Sequence, residues 1–178
     1  YNGIVILSFS LVLLGISAYK YWRWHEDSRL QVASNLYEQM MISSANHQHK
    51  LTAKIAEQLV HDYPKSIYAD AARLSLAKLA VAAKDYDKAE QALKWVAENS
   101  ATSELADVAK IRLARVWLAK QKYADALGIL KNMHSKAYLP LVDELKGDIY
   151  TSMNQYDKAV DFYRKALSEV QNYGVGNL

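Results

Sequence analysis

Across the body of the chain, apolar residues fall in stripes three and four positions apart, the period of a helix with one buried face. Leu105, Ala109, Leu113 and Trp117 form one stripe; Tyr86, Ala89, Leu93 and Val96 form another. The second kind opens each time with a similar phrase: "KDYDKAEQAL" at 84–93, "QKYADALGIL" at 121–130 and "NQYDKAVDFY" at 154–163. Tyr86, Tyr123 and Tyr156 stand 37 and 33 residues apart. Each is followed three residues later by an alanine (Ala89, Ala126, Ala159) and then by a large residue four further on (Leu93, Leu130, Tyr163). Twelve positions before each alanine stands another small residue: Ala77, Ala114 or Gly147. A period of about 34 residues with this pattern predicts paired helices of the tetratricopeptide type. The small residues let the two helices of a hairpin approach, and the large ones fill the space between hairpins.

Local signals agree. Ser103 before "ELADVAK" predicts an N-cap, with Glu104 and Asp107 near the positive end of the helix dipole. Pro64 and Pro140 fall where hairpins should join. Leu30–Ser44 and Leu51–His61 read as a further, atypical helix pair, and the glycines of "NYGVGNL" end the last helix. The expected fold is all-α: about four helix pairs in a solenoid over residues 23–178.

A different pattern precedes them. "YNGIVILSFSLVLLGISAY" contains no charged residue, and nineteen helical residues span about 28 Å, close to a bilayer's hydrocarbon thickness. It runs into Tyr19, Lys20, Tyr21, Trp22, Arg23 and Trp24, the aromatic and basic mixture that favours the headgroup level. Residues 1–22 are therefore expected to form one transmembrane helix. A signal peptide cut after Ser17 and a buried core helix are the alternatives. The length of the apolar run, its all-round apolar character and the aromatic collar favour the membrane span. Lys20 and Arg23 alone would hold the body in the cytoplasm. The sequence starts at Tyr1 rather than Met, so a preceding segment is expected to enter that comparison.

Composition narrows the function. Six glycines and two prolines suit helices. Of the 22 basic residues, Lys20 and Arg23 precede His25, leaving 20 against 19 acidic ones in the body. That near-neutral balance argues against a nucleic-acid partner. There is no cysteine. His47 and His49 lack a third ligand nearby, so no metal is expected. Ser75 and Lys78 have the serine–x–x–lysine spacing of some hydrolases, but Leu76 and Ala77 between them belong to the repeat pattern. No phosphate loop, nucleophile elbow or H-E-x-x-H occurs, so no catalytic residue or cofactor is expected. What remains is a solenoid surface. Registering the repeats on Ala77, Ala114 and Gly147 predicts a partner-binding groove of Leu74, Lys78, Val81, Ile111, Arg115, Leu118, Glu144, Asp148 and Thr151, suited to an extended or helical peptide.

Three stretches carry a family resemblance: "YKYWRWHEDSRLQVASNLY", "IRLARVWLAKQKYADALGIL" and "VDELKGDIYTSMNQYDKAVDFYRKAL". Together with the order of parts, the chain resembles the ancillary subunit family of the bacterial Sec translocon. The resemblance implies a single-pass inner-membrane protein with its C-terminal domain in the periplasm. It also implies association with the Sec channel and with a membrane-anchored, prolyl-isomerase-like periplasmic chaperone; an adaptor so placed is expected to contact translocating or unfolded polypeptides. A signal-cleaved periplasmic scaffold for envelope assembly or cell division is the alternative.

Overall fold

The computed structural model describes the backbone of residues 2–133 and 135–175, with the side chains of all these except 2–12, 24–27 and 172–175. The helices are α1 (Asn2–Ala45), α2 (His49–Asp62), α3 (Ile67–Ala82), α4 (Tyr86–Asn99), α5 (Ser103–Ala119), α6 (Tyr123–Ile129), α7 (Leu139–Ser152) and α8 (Tyr156–Val175). A 3₁₀ turn, Lys136–Tyr138, leads into α7. Consecutive helices pair as four antiparallel hairpins, α1–α2 to α7–α8, stacked as an all-helical solenoid.

α1 runs unbroken through the boundary expected after residue 22, because no glycine or proline interrupts residues 16–45. Among the described residues no helix is long and apolar enough to cross a membrane. The apolar run on which that expectation rests lies mostly in residues 1–12, outside the described side chains.

The same turn closes every hairpin. His47, Lys84, Gln121 and Asn154 adopt φ of 56–59°, the left-handed conformation that ends many helices. The next residue's N–H then reaches back to an orphan carbonyl: Gln48 to Ser43, Asp85 to Ala80, Lys122 to Trp117 and Gln155 to Tyr150, at 2.8–2.9 Å. The turns are spaced 37, 37 and 33 residues apart, so the first hairpin is a true repeat. Thr52 takes the alanine position of Ala89, its hydroxyl 2.9 Å from that of Ser43.

This register explains why the first pair looked degenerate. Ala77 packs with Leu93 and Ala114 with Leu130: a small residue on the first helix and a large one on the second. In α1–α2 the sizes are exchanged, Met40 meeting Ala56 within one core cluster. Close packing is satisfied either way, because the summed volume is what must be conserved. The last hairpin takes the arrangement furthest. A Cβ on Gly147 would lie 2.6 Å from Tyr163 Cδ1, so only glycine leaves room for the ring.

Each core cluster joins one hairpin to the first helix of the next. Leu74, Ala77, Leu93 and Val96 from α3–α4 meet Ala109, Leu113 and Val116 of α5. Ile111, Ala114 and Leu130 from α5–α6 meet Val142, Leu145 and Ile149 of α7. Full burial of each such leucine or valine is worth about 1.5–3 kcal/mol.

Ser103 does not cap α5. Thr102 occupies the extended N-cap position, without a side-chain cap bond. Ser103 is already helical, and its hydroxyl donates to Glu104 Oε2 instead, at 3.1 Å. Pro64 lies between α2 and α3, and Pro140 sits in the first turn of α7, where its missing N–H costs nothing.

Candidate functional site

α3 and α5 lie side by side because Leu74 and Ala77 of α3 share one core cluster with Leu93 of α4 and with Leu113 and Val116 of α5. Above that contact the two helices leave an open cleft of about 390 Å³. Its floor is apolar, made by Ala77, Leu93, Val116 and the ring of Tyr86. Lys78 of α3 and Arg112 and Arg115 of α5 stand at its edges. Burial first, and then the positive charge of Arg115, push the Arg112 guanidinium below its usual value. Arginine still holds its proton at any ordinary pH, so Arg112 remains a cation.

The residues expected to line a groove divide by position. Lys78, Val81 and Arg115 come together on this cleft, with Val81 40% exposed. Leu74 and Ile111 do not reach a groove: both are buried, covered by α5 and α7 respectively. The register residue, Glu144, is exposed, because no described helix packs on the last hairpin as α5 and α7 do on theirs. Leu118 is half-buried against the α5–α6–α7 cluster. Asp148 accepts a hydrogen bond from the Tyr163 hydroxyl at 2.8 Å, and Thr151 lies 3.3 Å from the same hydroxyl. Arg112 was not foreseen, although its place one turn before Arg115 on α5 is legible in the helical period.

A second polar feature was also unforeseen. Glu90 of α4 accepts the indole N–H of Trp117 at 2.9 Å and hydrogen bonds from Lys120 and Lys122. Burial alone would raise this carboxyl, but the bonds from Lys120, Trp117 and Lys122 outweigh it and hold the pKa at about 2. Lys120 is raised in turn by its hydrogen bonds to Asp87 and Glu90. The cluster clasps α4 to the α5–α6 turn.

Three buried aspartates repeat early in the first helices. Asp70, Asp107 and Asp143 pair with Arg73, Lys110 and Lys146 one turn on, at 3.4, 3.3 and 3.0 Å. Asp107 Oδ2 also accepts the Ser135 N–H at 2.8 Å, while Lys110 donates to the Asn132 carbonyl at 2.8 Å. These two bonds anchor the irregular segment after α6, which has only 7 residues against 14 in α4. Lys165 Nζ stands 2.6 Å from Asp143 Oδ2, tying α8 to α7.

Other candidates stay apart. The rings of His47 and His49 are 6.3 Å apart in the first turn, and among the described residues no group of three or more His, Cys, Asp or Glu is placed to hold a metal. No hydrogen bond joins Ser75 to Lys78, both of which lie within α3. Tyr21 and Trp22 are 68% and 63% exposed on α1, and Tyr19, Lys20 and Arg23 are exposed beside them. The Trp24 side chain lies outside the described residues.

Comparison with known proteins gives a consistent set of relatives. A family model for the tetratricopeptide repeat-like domain matches residues 1–177. The ancillary SecYEG translocon subunit of Neisseria gonorrhoeae is 32% identical over 168 residues, covering 93% of this chain and 80% of that protein. The ancillary SecYEG translocon subunit of Aggregatibacter actinomycetemcomitans is 31% identical over 162 residues, covering 91% and 79%. The crystal structure of MamA matches with a TM-score of 0.67 over 80% of each chain. At 16% identity that likeness concerns the fold alone.

Proposed function

Because the chain belongs to the ancillary SecYEG translocon subunit family, within the tetratricopeptide repeat-like proteins, we propose that it is a membrane-anchored adaptor of the Sec translocon that binds polypeptides and performs no covalent chemistry. The carrying observation is the 32% identity to a protein of that name over 93% of the chain. The stacked hairpins and their open cleft support it, since solenoids of this kind offer extended binding surfaces.

In this reading residues 1–22 cross the bacterial inner membrane once, and Tyr19 to Trp24 sit at the headgroup level. The solenoid stands in the periplasm beside the channel. There it meets translocating or unfolded chains and a membrane-anchored, prolyl-isomerase-like chaperone. Tethering raises the effective concentration of such pairs without any new contact.

The test is cross-linking in native membranes followed by purification in mild detergent. Channel subunits should be recovered with the chain; their repeated absence would overturn the adaptor reading. Protease added to the periplasmic side should digest the solenoid, and protection there would reverse the orientation. The mass of the mature chain should include residues 1–19, and a chain cut after Ser17 would instead favour the signal-cleaved scaffold.

A further inference from the structure

We propose that the turn between α2 and α3, residues 63–66, rests on the headgroup layer of the bilayer, so that the solenoid is seated on the membrane at a fixed height and orientation instead of hanging from a loose stalk. The inference rests on the reading of residues 1–22 as a membrane anchor.

The continuity of α1 carries it. The helix runs from Asn2 to Ala45 without a break, so anchor and body share one rod. The body packs on that rod close to its membrane end. Arg29 donates to the Asp62 carbonyl at 2.9 Å, and its guanidinium lies 5.7 Å from the centre of the Tyr63 ring. Ala33, one turn further on, is fully buried in a core cluster with Ala56 and Leu59 of α2. Between Trp22 and Arg29 the helix rises only about 10 Å. α1 leaves the bilayer, and α2 runs back toward it over 14 residues, about 20 Å. The chain then turns, and α3 departs again. Trp22, Arg29 and Leu30 of α1 border one hollow of about 410 Å³ together with Pro64 and Lys65 of the turn. The turn thus comes down to the aromatic collar, which in the anchor reading lies at the headgroup level.

The chemistry of this edge fits that depth. Lys65 is exposed, and a lysine stem lies along an interface while its ammonium reaches a lipid phosphate. Pro64 and Lys65 also border a second hollow, shared with Ile67, Trp95 and Thr102. Ile67 and Trp95 are 51% and 38% exposed. Indole and aliphatic surface beside a lysine is what the membrane–water interface favours. The far edge differs. Its four left-handed turns carry His47–Gln48, Lys84–Asp85, Gln121–Lys122 and Asn154–Gln155, polar throughout, as suits an edge turned to water.

The chain has no cysteine, so single labels can be placed at will. The whole chain carrying Lys65→Cys or Lys50→Cys, each labelled with the fluorophore NBD, is reconstituted into vesicles of phosphatidylethanolamine and phosphatidylglycerol containing a headgroup-nitroxide lipid. Lys50 is exposed in the first turn of α2, at the end away from the membrane. The label at position 65 should lose most of its fluorescence to the nitroxide, and the label at 50 very little. A seven-residue helical insert between Trp24 and His25 lifts the body by about 10 Å and nearly preserves its facing. That insert should release the label at 65 from quenching. Equal quenching at the two positions, an unquenched label at 65, or quenching at 65 that survives the insert would overturn the proposal. Extraction with alkaline carbonate separates this proposal from the anchor. A chain stripped from the vesicles loses both; a chain that stays embedded with the label at 65 unquenched loses only the seated turn.

Discussion

Gly147 shows how much a single hydrogen can decide. The Tyr163 ring fills the space a Cβ would need, so Gly147→Ala should destabilise the last hairpin by about 1–3 kcal/mol through overpacking. Adding Tyr163→Leu should recover most of that loss, because it recreates the alanine–leucine pair of the hairpins before it. Urea denaturation of the single and double variants measures this, and additive losses would refute the size-matching argument. Glu90 makes a different demand, on pH. Its carboxyl is held at about 2 against an ordinary 4.5, so the unfolded chain takes up the proton more readily. The stabilisation is complete above pH 4.5 and is lost as pH falls toward about 2. Glu90→Gln should therefore lose less stability than the wild type on acidification through that window. Parallel stability–pH curves for the two proteins would show that the clasp is energetically idle.

At the level of elements, the left-handed residue after each first helix sets the register of a hairpin. Asn154 tolerates that conformation well, whereas Lys84 and Gln121 adopt it at φ of 59° and 58° against the clash of their Cβ atoms. Lys84→Gly or Gln121→Gly should stabilise the protein by about 0.5–1 kcal/mol, read as a higher urea midpoint with an unchanged slope. The segment after α6 depends on a buried acid in place of helix. Asp107→Ala leaves Lys110 and the Ser135 N–H without that partner, and a loss of about 3 kcal/mol is expected. Hydrogen exchange should show residues 130–138 opening first.

These elements also mark what the sequence could reveal. The tyrosine–alanine phrases were legible because turn, small residue and large residue all lie within one short stretch. The first hairpin was not, because Met40 and Ala56 exchange sizes and threonine replaces alanine at position 52. Its register is carried by backbone conformation at His47, and His, Lys, Gln and Asn at the four equivalent turns share no residue type that announces it. The aspartates of "DAAR", "DVAK" and "DELK" were visible as letters, yet nothing in them says that all three are buried.

For the whole molecule, the shared faces could be read from spacing, but the neighbour covering each face could not. Leu74 and Ile111 were expected to meet a partner and meet α5 and α7 instead, because a stacked solenoid spends that position on its own next hairpin. Lys78 and Arg115, four residues further along their helices, escape that cover. Arg112 joins them because α5 presents a wider strip above the floor than the register row alone implies. Function was legible at the same grain: repeats predict a binding surface, whereas the identity of the membrane partner rests on kinship with named relatives.

The last hairpin carries glutamate where its predecessors carry leucine and isoleucine. Leu167 and Val170 lie exposed on the same end, at 64% and 56%, around a hollow that Glu144 also borders. A second solenoid abutting there would have to strip water from that carboxylate, a cost of several kcal/mol wherever the abutting face brings no cation. That cost predicts that Glu144 disfavours head-to-tail stacking. Replacing it with leucine should turn a well-behaved terminus into an adhesive one, visible as concentration-dependent self-association in sedimentation.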